Sequence, residues 1–309
     1  MNPAHLHLLL NHFPTVGFSV GIGLLLVALL GKSFELKRAG LVIIFLSAAL
    51  TILTYVSGND AQVAISEEAG ISLPTIYAHE SAALLAIVCM QVTGFFAWLG
   101  LWALRRMSRV PNWNVGIVFA LSVLTFVMMA RTAYMGGAIR HPEILTTEAA
   151  SALQSASPMA RDVGAYVQNN TWVWPTLETV HFIGLCMLFG VVLTLDLRML
   201  GMGKTLSFAS LYQLLPVGIV GFGLNLFTGL LFCVSTPKQY VGFLFFLKMA
   251  LVVLGAVNVL YFMLFDAPWR VGEGDDAPAA TKVVAASAIA IWVAVLFCGH
   301  MLPFLGNSF

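Results

Sequence analysis

Long apolar runs, broken by short polar connections, dominate the chain. Eight reach span length, at about 10–31, 39–57, 74–104, 113–138, 175–199, 211–233, 241–265 and 282–303. Each approaches or exceeds the roughly 20 apolar residues that carry a helix across a bilayer. Backbone inside lipid must satisfy its own hydrogen bonds, so these runs are predicted to be helical. The third is longer than a bilayer needs and should tilt or protrude. Pro74 and Pro175 suit the first turns of spans three and five. Pro14 either begins the first regular helix or kinks it. In span six, Gly218, Gly221, Gly223 and Gly229 permit close helix approach or would admit a flat macrocycle. The longest connection, 142–171, is polar and alanine-rich, with a short surface helix predicted over Glu148–Leu153. It separates a first four-span unit, 1–141, from a second, 172–309. Both units open on His-Phe (His12-Phe13 and His181-Phe182) and both end on a histidine, the pattern of a tandem repeat. The expected fold is therefore all-α: an integral membrane protein with eight transmembrane helices in two four-helix bundles.

Composition sharpens this reading. Hydrophobic residues make up 60% of the chain and charged residues 9%, against about 25% charged in soluble domains. A net charge of +1 gives no basic footprint for nucleic acid. The four cysteines, Cys89, Cys186, Cys233 and Cys298, form no CxxC pair and read as small packing groups. The N-terminus lacks a basic region before its first apolar run, so that run is expected to be retained rather than cleaved. Lys32, Lys37, Arg38, Arg105, Arg106, Arg109, Arg198, Lys204, Arg270 and Lys282 fall in the connections after spans one, three, five and seven. By the positive-inside rule those connections are cytoplasmic, and both termini face outside. Trp172 and Trp174 fit an outer interfacial aromatic belt.

This topology puts all seven histidines on the outer side: His5, His7, His12, His79, His141, His181 and His300. Ionisable residues in spans are functional by default. His181 stands seventeen residues before Arg198 and His300 eighteen after Lys282. Both are thus roughly 25 Å of helix rise from the inner boundary. Two neutral imidazoles at one depth are what a b-type haem requires. His181 and His300 form the candidate pair in the second unit; His12, His79 and His141 supply candidates in the first. His5 and His7 read as surface residues in the aqueous fringe. Arg131 and Lys248 need partners within their spans, Arg131 with a haem propionate or with Glu80. Glu178, three residues before His181, is placed to orient that imidazole or to move protons at a quinol site. Asp196 and Arg198 read as the inner end of span five. No phosphate loop, nucleophile elbow or HExxH is present in the sequence.

The stretch His7-Leu8-Leu9-Leu10-Asn11-His12-Phe13-Pro14 resembles the HPxxxHFP opening of an uncharacterised bacterial four-helix membrane family, with Leu8 replacing its first proline. Residues Glu178–Leu185 and Leu195–Gly201 are similar to a second bacterial membrane family. Thr228-Gly229, Pro237, Tyr240 and Leu247-Lys248 resemble copper-resistance membrane domains of the D type. These resemblances imply membrane redox or metal work in the bacterial cytoplasmic (inner) membrane, with periplasmic termini. The expected function is a b-type cytochrome-like electron-transfer subunit, carrying one or two haems b. It would link the quinone pool to a periplasmic redox protein or catalytic subunit, itself non-catalytic, with Trp172 and segment 142–171 as the docking surface. The alternatives are a copper or other metal-ion transporter or sensor, ligating through His12, His79, His181 and His300, and a structural anchor of a larger complex.

Overall fold

The computed structural model describes residues 2–68, 70–155 and 158–305. Every regular element among them is a helix. Eight helical stretches are long and apolar enough to cross a membrane: Pro3–Leu30, Phe34–Ile65, Leu73–Met107, Asn112–Arg140, Val173–Met199, Phe208–Ser235, Phe243–Leu264 and Ala279–Leu302. The protein is thus an all-α multi-pass membrane protein. The chain divides into two compact units, Met1–Ala160 and Arg161–Phe309.

In the first unit the opening span is broken in two. Helix α1 (Pro3–Leu10) is capped by Asn2, whose side chain accepts from the Ala4 N–H at 2.9 Å. Helix α2 (His12–Leu30) follows after Asn11. The break has a local cause. Pro14 has no N–H to donate to the Leu10 carbonyl four residues back. The Thr54 hydroxyl donates to that carbonyl instead, at 3.2 Å, so a half-buried acceptor stays paired. Thr54 lies on α3 (Phe34–Ile65), and α1 packs against that helix. Helix α4 (Leu73–Met107) lies on α3, α5 (Asn112–Arg140) on α4, and a slighter α2–α5 contact closes the ring. Helix α3 outruns its sequence-predicted limits because the polar turn around Asn59 and Asp60 continues the helix beyond the apolar run.

The connection forms a helix around the expected site, α6 (Thr147–Ser155), and a second one, α7 (Met159–Asn169). A Cβ at Gly164 would lie 2.7 Å from the Val234 carbonyl oxygen, and Gln168 donates to the Ser235 carbonyl, so α7 sits on the C-terminal end of the sixth span. The second unit comprises α8 (Val173–Met199), the short α9 (Phe208–Leu211), α10 (Leu215–Ser235), α11 (Phe243–Leu264) and α12 (Ala279–Leu305). Helix α8 is central, packing on α10 and on α12, while α11 packs on α12. Gly184 and Gly221 let α8 and α10 nearly touch: a Cβ on Gly184 would meet the Gly221 carbonyl oxygen at 2.8 Å. Gly218 shares that contact line, whereas Gly223 faces open space.

At the opposite end of α8, Arg198 is buried and ties two connections together. Its guanidinium donates to the carbonyls of Leu206 at 2.5 Å, Gly272 at 2.7 Å and Asp275 at 3.3 Å. Arg198, within the resembling stretch Leu195–Gly201, thus anchors the end of α8 to both connections.

Candidate functional site

Two imidazoles meet inside the first unit. His7 on α1 and His79 on α4 have ring centres 6.4 Å apart and ring planes at 80°. Carbonyl oxygens only accept, so the hydrogen bonds assign the ring protons. His7 Nδ1–H donates toward the Thr54 carbonyl at 3.1 Å and the buried Ser57 hydroxyl at 3.0 Å. Ser57 spends its own proton on the Thr54 carbonyl at 2.8 Å. His79 Nδ1–H donates to the Thr132 carbonyl on α5 at 3.0 Å. Each neutral ring therefore keeps its lone pair on Nε2, the arrangement by which backbone acceptors orient metal-binding histidines.

Both rings rest against glycines. A Cβ at Gly58 would lie 3.2 Å from His7 Cε1, and one at Gly136 would lie 3.0 Å from His79 Cε1. Two imidazoles ligating one ion on opposite sides through Nε2, at about 2.0–2.1 Å each, place their ring centres roughly 6–6.5 Å apart. The observed separation agrees. Among the described residues no cluster of three or more His, Cys, Asp or Glu side chains exists. A metal held by protein ligands alone needs three or four donors. Haem iron needs two axial ligands, its macrocycle supplying the rest. The chemistry of the His7–His79 pair fits haem.

The expected fringe position of His7 is therefore corrected: it is half-buried, and only His5 of that pair is exposed. The other first-unit candidates lie outside the pair. His12 is exposed and donates back to the Leu8 carbonyl of α1, 2.7 Å away. His141 caps the end of α5, 67% exposed, and meets Glu143 at 3.0 Å. That contact, after the residue's own backbone N–H, holds the Glu143 carboxyl below the usual range. Arg131 is exposed on α5, and Arg140 pairs with Glu68 at 2.8 Å.

In the second unit His181 is half-buried on α8. Its Nδ1 lies 2.7 Å from the Thr228 hydroxyl on α10, whose proton is already given to the Leu224 carbonyl at 2.7 Å. His181 Nδ1–H is thus the donor here too, and Nε2 holds the lone pair. Gly229 lies beside the ring, where a Cβ would be 4.0 Å from Cε1. Phe232 packs on the imidazole at 5.6 Å and on Trp174 at 4.9 Å. Glu178 is exposed and accepts from the Trp174 indole at 3.0 Å, so the partner orienting His181 is Thr228. Tyr240, just outside α11, is pushed up by burial, with Cys233 and Glu178 adding to the shift. Lys248 reaches from α11 to α12, where its Nζ is 3.2 Å from the Cβ position of Gly299. It stands within electrostatic range of His181, Cys233 and Cys298. His300 is exposed near the end of α12.

Residues far apart in sequence that carried the second-half resemblance thus gather around one imidazole: Thr228, Gly229 and Lys248. Compared with protein-family models, with curated proteins and with solved structures, the chain shows no match.

Proposed function

We propose that the protein is a b-type cytochrome-like subunit of a bacterial cytoplasmic-membrane oxidoreductase. It passes electrons between the quinone pool and a periplasmic partner. The observation that carries this reading is the His7–His79 pair: two half-buried imidazoles, each with Nδ1 donating and each leaning on a glycine. His7 and His79 would hold the haem iron through their Nε2 lone pairs. Thr54, Ser57 and Thr132 fix the two tautomers, and Gly58 and Gly136 leave the rings room. The bound haem supplies reversible one-electron chemistry. The excess of Lys and Arg in the alternate connections supports periplasmic termini, with both haem ligands near that face. A single centre near one face does not carry electrons across the bilayer, so a periplasmic redox protein or catalytic subunit completes the path.

The test is a reduced-minus-oxidised spectrum of the purified protein and its variants. A b-type α band is expected, lost in both His7→Ala and His79→Ala and kept in His12→Ala and His141→Ala. Full haem content in both pair variants refutes the assignment. Copper by metal analysis without an α band selects the transporter or sensor, and neither chromophore nor metal selects the structural anchor.

A further inference from the structure

Each imidazole of the first-unit pair is carried by one helix and held by another. His7 rides on α1, but its Nδ1–H points between two acceptors of α3, the Thr54 carbonyl at 3.1 Å and the Ser57 hydroxyl at 3.0 Å. His79 rides on α4, and its Nδ1–H is held by the Thr132 carbonyl of α5 at 3.0 Å. The last torsion of a histidine side chain has only broad preferences, so the ring plane is set by what the ring touches. Each ring here meets an acceptor at Nδ1 and, on the same neighbouring helix, a glycine beside Cε1: Gly58 of α3 for His7 and Gly136 of α5 for His79. The two planes that result stand at 80° to one another. Ser57 is fully buried, and its own proton is committed to the Thr54 carbonyl, so its lone pairs are left for His7.

We propose that α3 and α5 hold the two axial imidazoles crossed, with Ser57 the positioning residue for the His7 plane, a reading that rests on the haem assignment above. The consequence is electronic. An imidazole donates π density into the one iron d orbital whose lobes stand perpendicular to its ring. Coplanar rings act on the same orbital and split the pair; crossed rings act on one each and leave the two nearly equal in energy. Ferric iron lacks one electron in these orbitals and gains from the split, so crossed rings favour the ferrous form. Ring orientation thereby acts on the potential alongside ligand identity and the hydrogen bonds to the ligands. Through Ser57, Thr54 and Thr132 this chain makes the centre a readier acceptor for an electron from quinol.

The experiment is low-temperature electron paramagnetic resonance of the oxidised full-length protein, joined to a potentiometric titration of its α band. Crossed rings are expected to give a highly anisotropic low-spin ferric signal with a lone low-field line, assigned to the pair by its loss in His79→Ala. Coplanar rings give a three-line rhombic signal instead. Ser57→Ala leaves His7 the Thr54 carbonyl alone. It is expected to keep its haem, measured as the pyridine haemochrome, while the low-field line shifts toward the rhombic pattern and the midpoint potential falls. Cys186→Ser, on the exposed side of α8, leaves both unchanged. A rhombic signal from the fully loaded parent overturns the crossed planes and leaves the haem pair standing. A line and a potential that ignore Ser57→Ala overturn the role of Ser57. A protein with no α band overturns the haem assignment and the crossed ligation together, leaving an edge-to-face contact at ordinary aromatic spacing.

Discussion

Gly136→Ala tests the haem pair without touching either ligand. A methyl group there would stand 3.0 Å from His79 Cε1 and 3.2 Å from Nδ1. Ordinary contact begins near 3.4 Å, so the ring must retreat by about half an ångström. That retreat strains the 3.0 Å bond from Nδ1–H to Thr132, worth about 0.5–1.5 kcal/mol. Crowding a packed site adds about 1–3 kcal/mol. Replacing glycine in a helix returns up to about 1 kcal/mol. The net is a loss of about 1–3 kcal/mol at the ligand, equivalent to a fall in haem affinity of about tenfold or more. The assay is haem transfer from the purified variant to apomyoglobin, followed at the Soret band, with Gly223→Ala, which faces open space, as control. If Gly136→Ala holds haem as tightly as the parent and only gains thermal stability, His79 is not an axial ligand and the reasoning fails.

Three further outcomes follow from packing and charge. Gly94→Ala should lower the thermal stability of the first unit by about 2–4 kcal/mol, because the added methyl overlaps Ala48 Cβ across the α3–α4 contact; differential scanning calorimetry in detergent reads this. Arg198→Ala should cost about 1–3 kcal/mol by removing the buried guanidinium's hydrogen bonds to three loop carbonyls, with faster proteolysis within residues 200–207 and 271–278 as the local readout. Asp276 is held below its ordinary value of 3.8, first by the Lys204 hydrogen bond and charge and then by Lys282. A depressed carboxyl stabilises the folded state above its ordinary value and loses that contribution as pH falls below it. Acid unfolding of Asp276→Asn should accordingly show a shallower pH dependence below about pH 4.

Much of the architecture was legible in residue order alone. Eight apolar runs determine eight helices, because lipid leaves a backbone no other partner for its polar groups. The break at Pro14 was also readable, since a missing N–H is a property of the residue and needs no neighbour. Which histidines matter was not readable. His12 and His7 sit in the same short stretch, and the motif it resembles begins at His7. One turn of helix sends His12 outward and His7 onto α3, and only the α1–α3 packing decides that. Likewise Glu178 lies on the correct face of its own helix for His181, yet Thr228 from α10 takes the imidazole. The Gly184–Gly221 contact draws α10 close enough to do so. Helix periodicity places a side chain around one axis. The rotation and approach of neighbouring helices decide what it meets, and here small residues scattered over several spans set that approach. The sequence by itself determined the medium, the helices and the wealth of imidazole; the tertiary structure decided the pair and the tautomers.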